Sequence, residues 1–398
     1  MSAAPGDPPV YLDYAATAPL DARVAAVMAE CLSDPGLQAN PSSAHAAGRA
    51  AAPRVERARA EVAALVNAPP ESIVFTSGAT ESVNLAVLGA ARASGAANRH
   101  IVTSRVEHRA GIDACRQLER EGFAVTWLQP STEGRIEAGQ VMEALRPETA
   151  LVTLMHANNE TGVLTDLHAI AALCDARGVP LHADAAQSAG KVPIDVAASG
   201  VAMLSFCAHK LGGPKGVGAL YLRRRPRPAV QPLQFGGGHE RGLRSGTLAL
   251  HQLAGFGAAC AIAGATLAEE GARIRALRER LWLALAGAAP LWRNGAREPS
   301  VPGILSVGFA GMEGESLLLE IDGRIDASSG SACNSATGEP SYVLRALGRS
   351  DEAIQGSLRL SLGRGTTAEE IDCAAKILVQ AVARLRTALP PGALERIA

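Results

Sequence analysis

Between about residues 70 and 225 one pattern repeats: a short apolar run, a polar turn, then a helix-like stretch. The apolar runs lie at 73–75, 101–104, 124–128, 151–155, 180–183, 203–207 and 217–222, with helical patterns between several of them, as at 111–121 and 167–177. Strands alternating with helices build βαβ units, and a mainly parallel sheet covered on both faces follows. The last run comes too soon after Pro214 and Gly216 for a crossover helix, so it is free to pair antiparallel. Beyond about residue 260 the texture changes. A long Ala/Arg/Leu/Glu helix runs to about 286, strands follow at 304–309 and 357–362, and helices at 314–321 and 368–388. The expected fold class is α/β: a large domain over 17–260 with a seven-stranded, mainly parallel sheet, and a smaller α+β domain from 1–16 and 261–398.

Composition narrows the function classes. Of 398 residues 47% are hydrophobic, ample for a large core, and the net charge of -1 steers the chain toward neither nucleic acid nor an anionic membrane. No segment is expected to span a membrane; 253–268 is mostly Ala and Gly and falls short of the roughly 18 apolar residues required. The opening MSAAPGDPPV has neither the basic nor the apolar part of a signal peptide, so a cytoplasmic location is expected. The seven cysteines, at 31, 115, 174, 207, 260, 333 and 373, form no C-x-x-C pair. That argues for a reducing compartment and against a disulfide framework or a metal site. With only four lysines, few side chains can fill a role that needs an amine.

Ligands of open α/β sheets bind beyond the carboxyl ends of the strands. Five of the predicted strands end in polar residues. Thr76-Ser77-Gly78-Ala79-Thr80 leads into a helix, whose free N–H groups suit a phosphate; an ordinary cap by Thr80, with Glu81 in the first turn, reads equally well. Run 101–104 is followed by Glu107-His108, and His108 serves either as proton shuttle and stacking partner or as a structural histidine. Run 151–155 leads to His156-Ala157-Asn158-Asn159-Glu160. Run 180–183 ends in Asp184-Ala185-Ala186-Gln187, where a poorly solvated Asp184 needs a cationic partner such as a protonated ring nitrogen, or caps the next helix. Run 203–207 ends in Ala208-His209-Lys210, and the glycines after Lys210 let the backbone approach a bulky ligand while its amine forms an imine. Lys215 is a rival further from the strand end; Lys191 and Lys376 sit in less suggestive contexts. A glycine-rich basic loop, 236–247, either reaches a phosphate or is plain surface.

Cys333 lies in Ser331-Ala332-Cys333-Asn334-Ser335, with no long apolar neighbour to be buried among. An exposed thiol on a small-residue loop is a candidate nucleophile. The other cysteines sit in apolar stretches as packing residues, Cys207 being a partial exception.

These segments, together with Tyr11-Leu12-Asp13-Tyr14-Ala15-Ala16-Thr17, Asn40-Pro41-Ser42-Ser43-Ala44-His45, 237–247 and 340–348, carry a resemblance that runs nearly end to end. The chain resembles the cysteine desulfurases of the class V aminotransferase superfamily, of the bacterial type that serves iron–sulfur cluster assembly. The resemblance implies a fold-type I enzyme with pyridoxal 5'-phosphate bound to Lys210 as a Schiff base. Asp184 would pair with the pyridinium nitrogen, Gln187 with the ring oxygen, and His108 would stack on the ring and act as acid/base. Ala79, Thr80, Cys207, His209 and, in a homodimer, Thr247 of the partner subunit would hold the phosphate. Asn40, Asn159 and Arg359 would orient L-cysteine, with Arg359 clamping the α-carboxylate. Cys333 would take the sulfur as a persulfide, releasing L-alanine, and pass it to an iron–sulfur scaffold or another acceptor protein; it could also transiently ligate a cluster iron. A selenocysteine lyase, another enzyme of the superfamily or a non-catalytic cluster-assembly adaptor are the alternatives. Three departures stand out: Cys207 where the family has serine, Asn334 for a common threonine, and a shorter C-terminal tail.

Overall fold

The computed structural model describes residues 8–329 and 340–387. Its centre is a seven-stranded sheet of β1 (Ile73–Thr76), β2 (His100–Ser104), β3 (Ala124–Leu128), β4 (Thr149–Met155), β5 (Leu181–Asp184), β6 (Met203–Cys207) and β7 (Gly218–Leu222). The strand order is β1-β7-β6-β5-β4-β2-β3. Five neighbouring strands run parallel, and β7 pairs antiparallel with both β6 and β1. All seven expected runs are strands, and the close-coupled last one is the antiparallel strand.

The apolar runs are nearly continuous because both faces of the sheet are buried. Successive residues alternate between two cores: Ile73 and Phe75 face one, Val74 the other. Helices Ala79–Ala93 and Arg109–Arg120 cover the second face. The first face shares a core with helices Ala22–Ser33, Ala46–Ala64 and the start of Leu250–Ala284.

A second sheet of four strands joins Ile304–Phe309 and Ser357–Ser361 to Leu291–Arg293 and Ser328–Ser329, backed by Gly314–Ile321 and Ala368–Thr387 around a separate core. The helix expected beyond residue 260 starts earlier, at Leu250, and runs unbroken to Ala284. Its first half fills the large core through Leu253, Phe256 and Cys260, and its second half fills the small one through Ile274, Leu277 and Leu281. By length and composition alone this helix is long and apolar enough to cross a bilayer, a test that a buried core helix also passes. Half of that apolar window is buried in the fold, where its glycines let the helix pack closely against its neighbours. Five cysteines, at 31, 115, 174, 207 and 260, are buried free thiols, and Cys373 is half-buried.

Candidate active site

Beyond the carboxyl ends of β1, β2, β4, β5 and β6 lies a cavity of about 570 Å³. Its wall includes Ala79, Thr80, His108, Asn159, Asp184, Gln187, Cys207, His209, Lys210 and Arg359. Ten of the residues expected from sequence are thus brought together from parts of the chain up to 280 residues apart. Cys333 lies outside the described residues. Asn40 and Thr247 are exposed and do not line the cavity of this chain.

The helix Ala79–Ala93 begins with Gly78 as its N-cap and no side-chain cap bond, so Thr80 does not cap it. Its first-turn N–H groups therefore open on the cavity as a positive helix end. β7 comes so close beneath this loop that a Cβ on Gly218 would sit 2.6 Å from the carbonyl carbon of Gly78. Glu81 accepts from the Ser77 N–H at 2.7 Å and is paired with Arg244 at 2.9 Å, which ties the 236–247 loop to the same helix end.

Asp184, 7% exposed, accepts from the Ala186 N–H at 2.9 Å. That bond turns the chain sharply after β5 and leaves the carboxylate on the cavity wall. Lys210 lines the same space. His108 caps the helix Arg109–Arg120, its Nδ1 accepting from the Ala110 N–H at 3.1 Å. Nδ1 being an acceptor, the neutral ring carries its proton on Nε2. Burial holds the His108 pKa below the ordinary value; Asp184 opposes that shift and Lys210 adds to it. His209 is held at about 4 by burial and by Lys210, Lys191 and Lys215, and its Nδ1 meets the Thr17 hydroxyl at 3.2 Å.

Arg359 is the most deeply buried cation on the cavity wall, 2% exposed. It donates to the Asn159 carbonyl at 3.0 Å, to Asp13 at 2.8 Å and to Ser328 at 3.3 Å. Its Nε is buried and has no acceptor among the described residues. An orphaned guanidinium N–H on a cavity wall suits a carboxylate ligand. The same test favours the expected cofactor: an imine-forming amine, a lone buried carboxylate for a ring cation, and an uncapped helix end for a phosphate face one space. Among the described residues no cluster of three or more His, Cys, Asp or Glu is arranged to hold a metal.

Several contributors escaped the sequence reading. The segment before Pro19 threads under the site: the Ala15 carbonyl accepts from Gln187 Nε2 at 2.7 Å, Asp13 pairs with Arg359, and Thr17 meets His209. Asp13 and Thr17 lie in the Tyr11–Thr17 motif that carries the resemblance, just beyond the short strand Val10–Tyr11, but no role was expected of either. Lys191 donates to Gln187 Oε1 at 2.9 Å. Glu160, buried, accepts from the Ser341 hydroxyl at 2.5 Å, and the Tyr342 hydroxyl donates to the Glu107 carbonyl at 2.7 Å. Ser328 and Ser341, which flank the segment carrying Cys333, thus rest on Arg359 and Glu160 beside Asn159.

A family model described as Aminotransferase class-V matches residues 10–373. A protein of Pseudomonas aeruginosa named "Cysteine desulfurase IscS" is 53% identical over 96% of this chain and 95% of its own. Its namesake from Aeromonas hydrophila is 52% identical over the same shares. Among solved structures, one titled "NIFS-LIKE PROTEIN" superposes with a TM-score of 0.87 at 32% identity, covering 95% of this chain and 100% of that one. Another, "SspA in complex with cysteine", gives a TM-score of 0.79 at 36% identity over 89% and 98%.

Proposed function

From the premise that the chain belongs to the class-V aminotransferase family, among its cysteine desulfurases, we propose that its cavity holds pyridoxal 5'-phosphate on Lys210 and that Cys333 receives the sulfur of L-cysteine. The enzyme converts L-cysteine to L-alanine and hands the sulfur on, with iron–sulfur cluster assembly as the destination. The observation that carries the reading is the cavity itself, whose wall brings together Lys210, Asp184 and Arg359, the last with a buried Nε that has no acceptor among the described residues.

The cofactor, when bound, supplies an electron sink for charge developing at the substrate Cα. The residues of the chain do the rest. The open N–H groups of Ala79 and Thr80, with Cys207 and His209, hold its phosphate; Asp184 holds its ring cation and Gln187 donates to its ring oxygen. Arg359 binds the substrate carboxylate through Nε and its fork, and Asn159 orients the same group. Lys210 Nζ moves the proton of the substrate Cα, and His108, neutral with a proton on Nε2, delivers or accepts one on the opposite side. The Cys333 thiolate forms a bond to the substrate sulfur as the Cβ–S bond breaks; the electron pair stays with Cβ, which takes a proton and leaves as the methyl group of alanine. The products are L-alanine and a Cys333 persulfide, so no external oxidant enters.

Thr247 is exposed and outside this cavity, as a homodimer in which it reaches the other copy's phosphate site requires. The test is direct. Purified protein fed L-cysteine and a thiol reductant yields equal amounts of alanine and sulfide, and it carries the visible absorbance of a cofactor imine. Lys210→Ala loses both. Cys333→Ala keeps the absorbance and makes no sulfide; sulfide release at the unaltered rate from Cys333→Ala overturns the assignment.

A further inference from the structure

Gln187 is held at both ends. Its Nε2 donates to the Ala15 carbonyl at 2.7 Å and its Oε1 accepts from Lys191 Nζ at 2.9 Å. A carbonyl can only accept and an ammonium can only donate, so both neighbours demand the same orientation of the amide. One N–H of Nε2 is then left over, and Gln187 lies on the cavity wall. The group it offers the cavity is a donor, with a cation at the far end of its own dipole.

Lys191 reaches this position from behind. Its stem, with Lys210, lines a second cavity of about 350 Å³ between the large and small sheets. Facing it are Lys210, Cys207 and Arg359 on the active-site side, and Tyr14, Asp21, Glu270 and Arg364 around the rear cavity. The carboxylates there are committed: Arg364 bonds Glu270 at 2.7 Å and Asp21 at 3.1 Å. Lys191 therefore has a neutral amide and no carboxylate as its partner, a costly arrangement for an enclosed amine. Burial, then Lys210, brings its pKa down to about 7, so Lys191 acts as the full cation on the acid side of that value.

We propose that Lys191 is a positioning residue that fixes and polarises the Gln187 amide, so that its N–H holds the cofactor's ring oxygen ionised. The inference rests on the cofactor reading of the cavity. A cation near the ring oxygen disfavours an added proton on the neighbouring imine, and so does a strong N–H donor at that oxygen. Removing Lys191 moves both effects the same way, toward a more basic imine.

The experiment is a pH titration of the visible absorbance of the loaded protein, together with cofactor affinity of the stripped protein. Lys191→Met raises the titration midpoint by about one pH unit and weakens cofactor binding about threefold or more. Gln187→Ala raises the midpoint as well, and adding Lys191→Met to it produces little further shift. An unmoved midpoint in Lys191→Met overturns the proposal. A shift of equal size in the Gln187→Ala background also overturns it, because Lys191 would then act by another route. Lys191→Gln removes the charge with a smaller change of shape and is read in the same way if Lys191→Met does not fold. Wild-type protein without visible absorbance on loading refutes the cofactor reading instead, which separates the two failures.

Discussion

Arg59 and Glu240, 181 residues apart in sequence, meet as a buried two-pronged ion pair with both N–O distances at 2.8 Å. The same Glu240 carboxylate accepts from the Phe75 N–H at 2.8 Å, and Arg59 donates to the Ile73 carbonyl while lying over the Phe75 ring. The pair clamps the 236–247 loop to β1, the strand that leads into Ser77 and Gly78. It also holds Glu240 and Arg241 in the left-handed region, at φ 50 and φ 59, where neither residue is at home. Glu240→Ala leaves a buried guanidinium unpaired and is expected to cost about 3–5 kcal/mol, measured by denaturant unfolding. Replacing both partners by methionine should recover part of the loss. A Glu240→Ala protein as stable as the parent would show that the pair contributes nothing.

Arg359→Lys keeps a charge and loses the fork. The orphaned Nε disappears, and a compact ammonium lacks the planar spread that lets one guanidinium reach the Asn159 carbonyl, Asp13 and a substrate carboxylate together. KM for L-cysteine is expected to rise at least about tenfold, with the cofactor's absorbance intact. Steady-state kinetics with an unchanged KM would remove Arg359 from the substrate clamp.

Stability should fall on the alkaline side through two buried glutamates. Burial raises Glu107 to about 8 and Glu160 to about 7. Between the ordinary carboxyl range and these values the native protein keeps protons that the unfolded chain has lost. Bound protons then favour the native state, so stability is lost as pH rises from about 5 to about 8. Lys191 works in the opposite sense above pH 7, so the parent profile is a balance. Glu107→Gln isolates the carboxyl contribution. Its Tm should decline less than the parent's between pH 6 and 9, by the equivalent of a few kcal/mol at most. Parallel profiles would show that Glu107 is ionised in both states.

Cys207, 2% exposed, lines the cavity where the resemblance expects a serine. Burial raises its thiol pKa, so at the proposed phosphate site it would be a neutral, weak donor. Cys207→Ser is expected to tighten cofactor binding about two- to tenfold, the worth of one ordinary hydrogen bond. Equal affinity would mean that this side chain does not touch the phosphate.

The sheet was readable because its strands are buried on both faces and so appear as unbroken apolar runs. The site was readable because five of those runs end in polar residues, and strand ends of a parallel sheet converge. What stayed hidden was local sequence without periodicity. Asp13, Ala15 and Thr17 act through position alone, Ala15 only through its carbonyl. Lys191 looked unremarkable because nothing nearby in sequence reveals that its amine ends against Gln187. The early start of the helix Leu250–Ala284 was hidden by its own composition, which shifts from Ala and Gly to Arg and Glu where it passes from one core to the other.

That helix has a thermodynamic consequence. Residues 253–260 are part of the large core and residues 274–281 part of the small one, on a single unbroken backbone. Melting either core exposes half of a rod whose other half is still packed, and helix ends fray inward from such a breach. The two halves of the molecule therefore lose structure in one calorimetric transition, and a cut near residue 265 leaves neither fragment with a complete interior.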